Sequence, residues 1–129
     1  MTAFGPLQSS SARLNGKWII DTGCNHHVTG DLTYLTDLSN ITSCSVGLPD
    51  GQDVVSSKEG TVKLTDKIIL QHVLYVPKLD CNLISVSQLS DDLNCEVITN
   101  SDLCAIQDRH TRKVIGTGDS KDGLYYLRG

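Results

Sequence analysis

The chain has 129 residues and a formal net charge of −4, with 39% hydrophobic but only 5% aromatic residues. That length supports one domain with a modest core drawn from Val, Ile and Leu, and such a composition favours strands over a helical bundle. Mild acidity argues against a domain whose main task is to hold nucleic acid, and no run of about eighteen apolar residues exists to span a membrane.

The first sixteen residues (MTAFGPLQSSSARLNG) are small, polar and without periodicity. They read as a flexible leader ahead of a domain over 17–129. No basic stretch followed by an apolar core is present, so no secretory signal is expected. Five cysteines, Cys24, Cys44, Cys81, Cys95 and Cys104, are widely spaced and form no CxxC pair. That pattern suits reduced thiols in an intracellular protein.

From Lys17 onward short apolar runs alternate with turn residues. Lys17–Asp21 reads as a strand, and Leu32–Leu38 fits either strand or loop. Cys44–Leu48 and Gln52–Ser56 flank Pro49-Asp50-Gly51, a strong hairpin signal. Thr61–Thr65 and Lys67–Val76 form two more strands that turn at Asp66. Asn82–Val86 has buried character and leads into a short helix over Ser87–Leu93. Cys95–Thr99, Leu103–Asp108, Lys113–Gly116 and Leu124–Leu127 close the chain as strands. Many short strands with frequent turns describe a sandwich or barrel.

The chemistry concentrates where Trp18-Ile19-Ile20 runs into Asp21-Thr22-Gly23. A strand that delivers one carboxylate onto a tight Thr-Gly turn suits acid–base hydrolysis when two such carboxylates meet. At about 3 Å apart they cannot both ionise, so the pair keeps a shared proton. One member activates water while the other protonates or polarises the scissile carbonyl. The Thr22 hydroxyl can hold the turn, and Gly23 allows close backbone approach. The motif occurs once, so a second copy of the chain must supply the other half. Against this stands a plain alternative, in which Asp21 is a turn residue at the end of a strand.

Trp18-Ile19-Ile20-Asp21-Thr22-Gly23-Cys24-Asn25-His26-His27-Val28-Thr29-Gly30 is similar to W-x-x-D-[ST]-G-A-x-x-H-x-[ST]-x. That pattern belongs to the protease region of copia-type LTR retrotransposon polyproteins, relatives of the retropepsins. Leu48-Pro49-Asp50-Gly51, Val73-Leu74-Tyr75-Val76-Pro77, Asn82-Leu83-Ile84-Ser85-Val86-Ser87-Gln88-Leu89 and Gly123-Leu124-Tyr125-Tyr126-Leu127 also correspond to family blocks. The resemblance covers residues 17–129 and departs from the pattern in two places. Cys24 stands where the family usually has Ala, and Ser85 where viral retropepsins have Gly. The chain also continues for 129 − 85 = 44 residues beyond Ser85.

The resemblance implies an all-β, retropepsin-like closed barrel with a flap hairpin, one short helix and extra C-terminal strands. It implies a homodimeric aspartic endopeptidase with Asp21, Thr22 and Gly23 as catalytic residues, acting on its own Gag-Pol-type precursor in the cytoplasm or a virus-like particle. Val46, Leu48, Asp50, Gly51 and Val54 would form the substrate-covering flap. No cofactor, nucleic acid or membrane partner is expected. A competing possibility is a domesticated or inactive barrel that serves as a binding or assembly module. Another is a chain that stays monomeric until it is part of its polyprotein.

Cys24, His26 and His27 raise the question of a metal. A closed zinc site normally needs a second ligand pair at defined spacing, and neither Cys44 nor Cys81 supplies one. The expectation is no metal, with one histidine ordering the loop and the other facing solvent. A Cys24–His nucleophilic dyad is disfavoured because dyad partners usually come from separate parts of the chain. Lys58, Lys63, Lys67 and Lys78 make no basic stripe, and Arg109, Arg112 and Lys113 read as a hairpin tip.

Overall fold

A computed structural model describes residues 17–47 and 51–128. The expected leader over 1–16, and Leu48, Pro49 and Asp50 at the expected hairpin tip, lie outside the described residues. The first element among the described residues is β1 (Trp18–Asp21), which is buried along its whole length. Next come β2 (Val28–Thr29), a 3-10 turn over Leu32–Tyr34, β3 (Thr36–Gly47), β4 (Asp53–Lys63), β5 (Ile69–Tyr75) and β6 (Asn82–Ser85). One α-helix, α1 (Val86–Leu93), separates these from β7 (Cys95–Thr99), β8 (Leu103–Asp108), β9 (Val114–Lys121) and β10 (Leu124–Leu127).

Local chemistry explains the boundaries. Ser85 is the N-cap of α1, where its side chain accepts from the Gln88 amide, so the helix starts at Val86. Asn94 ends it in the left-handed conformation that suits a C-terminal cap, at φ 49. Asp122 and Gly123, with φ of 54 and 81, form the two-residue turn between β9 and β10. A tight hairpin of this hand needs positive φ at both positions.

The strands form one sheet in the order β3-β4-β5-β2-β6-β1-β10-β9-β8-β7. β6 lies between β1, which it pairs in parallel, and β2, which it pairs antiparallel. The chain leaving β1 at Asp21 therefore passes over β6 and returns on its far side. At the C-terminal end, β7 to β10 run as an antiparallel meander that lays β10 along the other edge of β1. The strand carrying Asp21 is thus held from both sides.

The described residues form a mostly-β fold with one short α-helix, but the expected closed barrel is not found. The hydrogen-bonded order has two ends, β3 and β7, and the sheet is open between them. The sheet is nevertheless curled. Val62 on β4 and Val73 on β5 share a core cluster with Trp18, Ile84, Cys95 and Ile106, which come from the middle and the far end of the sheet. Closure fails at β3. Most of its twelve residues are exposed, its ladder to β4 shifts register twice, and Asp37 sits at φ 52. Bulges and polar residues of this kind twist and blunt an edge strand, so that it does not add another neighbour.

A smaller cluster lies on the other face of β1. It joins Ile19 with Val28, Val76, Leu79, Cys81, Leu83 and Leu124. Because successive strand residues point to opposite faces, Asp21 shares the side of Ile19. The carboxylate is therefore directed to the smaller cluster and away from the main core.

Candidate active site

Asp21 ends β1 opposite Ser85 of β6. The residue is only 3% exposed. Its Oδ1 accepts a 2.7 Å hydrogen bond from the Gly23 amide, which closes the Asp-Thr-Gly turn on itself. Its Oδ2 is buried and has no hydrogen-bond partner among the described residues. Thr22 and Gly23, by contrast, are exposed. An isolated buried carboxylate oxygen is costly, and none of the described residues offers this one a donor.

The loop after Asp21 is fastened to β6 and α1 by buried polar bonds. Ser85 Oγ donates to the Cys24 carbonyl at 2.8 Å. The Ser85 amide donates to His27 Nδ1 at 3.0 Å, and the His27 amide donates to Gln88 Oε1 at 3.0 Å. Thr29 Oγ1 donates to Asn82 Oδ1 at 2.6 Å, and Asn82 Nδ2 reaches the Lys17 carbonyl at 3.2 Å. Gly30 completes the loop where a Cβ would stand 1.6 Å from the Leu79 carbonyl oxygen, so no larger residue fits.

The same contacts place Cys24, His26 and His27. His27 orders the loop, and His26 lies half-buried with its Nε2 3.7 Å from Cys44 Sγ. Among the described residues, no three His, Cys, Asp or Glu side chains cluster as a metal site would require. Burial, and then the nearby Asp21 carboxylate, pushes the Cys24 thiol up to about 12. Burial, followed by Asp80 and Asp21, does the same to Cys81, also to about 12. Burial thus favours the protonated form of both thiols, which works against Cys24 as a nucleophile.

The hairpin of β3 and β4 comes down beside this loop. Val46 and Val54 face each other across the ladder, and both pack on the smaller cluster together with Cys24. Gly51 is exposed with φ 88, a conformation that favours glycine, while Leu48 and Asp50 lie outside the described residues. Cys24, Val46 and Val54 thus gather at the cluster on the side of β1 to which Asp21 is directed.

Sequence reasoning missed the polar clasp formed by His27, Ser85 and Gln88. A signal was present, because Ser85-Val86-Ser87-Gln88 has the S-x-x-Q spacing of a helix capping box. In the usual box the Gln side chain returns to the Ser amide. Here His27 is inserted between them.

Residues 18–95 match the family described as Pol polyprotein, beta-barrel domain, and the chain belongs to that family. It is 30% identical over 123 residues to the retrovirus-related Pol polyprotein from transposon RE1 of Arabidopsis thaliana, covering 92% of this chain and 8% of that protein. It is also 30% identical over 112 residues to the retrovirus-related Pol polyprotein from transposon RE2 of the same plant, covering 84% of this chain and 8% of that protein. The chain therefore spans a small part of the curated relatives it matches. No solved structure matches it. Among the described residues, no helix is long and apolar enough to cross a membrane.

Proposed function

We propose that this domain is an aspartic endopeptidase of the retropepsin type, active as a homodimer that processes a retrotransposon Gag-Pol-type precursor. Asp21 from each protomer contributes one half of the catalytic pair. The observation that carries this reading is the state of its carboxylate. Gly23 fixes Oδ1, while Oδ2 is withheld from solvent and lacks a partner among the described residues. A second carboxyl sharing one proton is the group that satisfies such an oxygen and makes it chemically useful.

In the assembled pair one carboxylate takes a proton from water, and the other supports the carbonyl that the water attacks. Thr22 and Gly23 hold the two turns together across the axis. The hairpin covers an extended substrate with Val46, Val54 and the tip formed by Leu48, Asp50 and Gly51. Membership in a Pol polyprotein family, with long Pol polyproteins as relatives, supports a precursor as the substrate.

A second reading has its own support. Because Asp21 is buried within one protomer, the domain can serve as a binding or assembly module that never exposes a pair. Purified protein mixed with a precursor peptide in mildly acidic buffer separates the two. The peptidase reading expects cleavage and its loss, on the order of a thousandfold, in Asp21→Asn. Equal turnover by the variant removes Asp21 from the chemistry, and no turnover by the parent at concentrations where it dimerises favours the module.

A further inference from the structure

His27 is fully buried and lies 61 residues from Gln88 and 58 from Ser85, yet it bonds to both. Its carbonyl also accepts from the Leu74 amide of β5 at 2.9 Å. One residue thus ties the loop after Asp21 to β5, β6 and α1. A backbone amide can only donate, so Nδ1 must be the bare acceptor and Nε2 must carry the ring proton. Nε2 has no hydrogen-bond partner among the described residues, and the Asp92 carboxylate lies 4.0 Å away.

We infer that neutral His27 is a positioning residue, holding the Asp21 loop against β6 and α1 by accepting the Ser85 amide proton, and that protonation of its ring releases this loop. The functional consequence rests on the aspartic peptidase reading, whereas the structural consequence does not. A doubly protonated imidazole presents a donor to the Ser85 donor. The bond is lost and two N–H groups face each other in a dry site. Ser85 is also the residue opposite Asp21 and the holder of the Cys24 carbonyl. The disturbance therefore passes directly to the turn that carries the catalytic carboxylate.

The charged and titratable groups facing the ring are Asp92 from α1 and His26 from its own loop. His72 on β5 also feels Asp92. Burial, and then His26, lowers His27 to about 4, although the Asp92 carboxylate lies 4.0 Å from Nε2. A carboxyl pair works best in weakly acidic solution. His27 then sets the acid floor of the same working range.

The test uses the intact protein and His27→Asn, whose side-chain oxygen can take the place of Nδ1 but does not titrate. NMR of the histidine ring nitrogens and the Ser85 amide is followed from neutral pH downwards. The parent is expected to show an Nε2-protonated ring and a shift of both signals with a midpoint of about 4. The Ser85 signal of the variant should stay in place through that range. A ring that titrates near the ordinary 6.5 without moving the Ser85 amide overturns the inference. So does the same Ser85 transition in His27→Asn. In the cleavage assay the acid limb of kcat/KM should move to lower pH in the variant, and an unmoved limb again overturns it. A parent with no turnover at any pH but the expected NMR transition overturns the peptidase reading and leaves the positioning role supported.

Discussion

At the scale of single residues the site is defined by polar groups placed against the preference of their surroundings. Asp21 keeps a carboxylate in a buried position where one oxygen lacks a partner among the described residues, an arrangement that stability alone does not favour. Asp21→Asn preserves an acceptor for the Gly23 amide while removing the charge. Its urea midpoint should equal or exceed that of the parent, and a loss above about 1 kcal/mol would show that the carboxylate is structural. The histidines make a second, signed prediction. His27 falls from 6.5 unfolded to about 4 folded, so the unfolded chain takes up its proton first. The contribution of His27 is complete above pH 6.5 and is lost as pH falls towards 4, amounting to about 3 kcal/mol. His72 behaves in the opposite sense. Its hydrogen bond to Glu59, and then the Glu59 charge, raises it, so its benefit is present at acid pH and fades as pH rises. Urea titrations of His27→Asn and His72→Asn across this range should give slopes that differ from the parent in opposite directions.

At the scale of elements the question is how a six-residue passage from β1 to β2 is held over β6. Ser85 does this with its whole inventory. Its amide binds His27, and its hydroxyl donates to Cys24 while accepting from Gln88. Ser85→Ala should cost about 1–3 kcal/mol in denaturant unfolding, more than the loss of a helix cap on a surface helix. A neutral effect would mean that the clasp does not hold the loop. Gly30→Ala should cost more, because the new Cβ would strike the backbone carbonyl of Leu79 and not a side chain that can swing away. Much of this level was legible in the sequence. The runs Cys95–Thr99, Leu103–Asp108 and Leu124–Leu127 have the bounds that alternation and turn residues suggest. Helix α1 starts one residue earlier than its apolar pattern does, because the Ser85 cap sets the start. Gln52–Ser56 and Thr61–Thr65 proved to belong largely to one strand, β4, because the polar Lys58-Glu59-Gly60 stretch between them continues the ladder, with a bulge after Gly60, instead of turning.

At the scale of the whole molecule the sheet curls around one core without closing. Alternation patterns identify buried faces, but they do not report whether the first and last strands of a sheet meet. That outcome depends on twist and register, which are set here by the irregular ladder of β3 and the polar edge it presents. The position of Asp21 was legible because Trp18-Ile19-Ile20 is unambiguous as a strand. Its burial was not, because the smaller cluster on its side of β1 is assembled from residues as distant in sequence as Val46, Val76 and Leu124. On the peptidase reading, a carboxylate oxygen without a partner among the described residues makes association the central issue, and association has a direct readout. Parent protein and Asp21→Asn are mixed in varying ratio at fixed total concentration, high enough for full dimerisation, and precursor-peptide cleavage is measured. If each active pair needs Asp21 from both protomers, activity follows the square of the parent fraction and falls to about one quarter in an equal mixture. A linear fall to about one half would contradict a shared site and place the chemistry within a single chain.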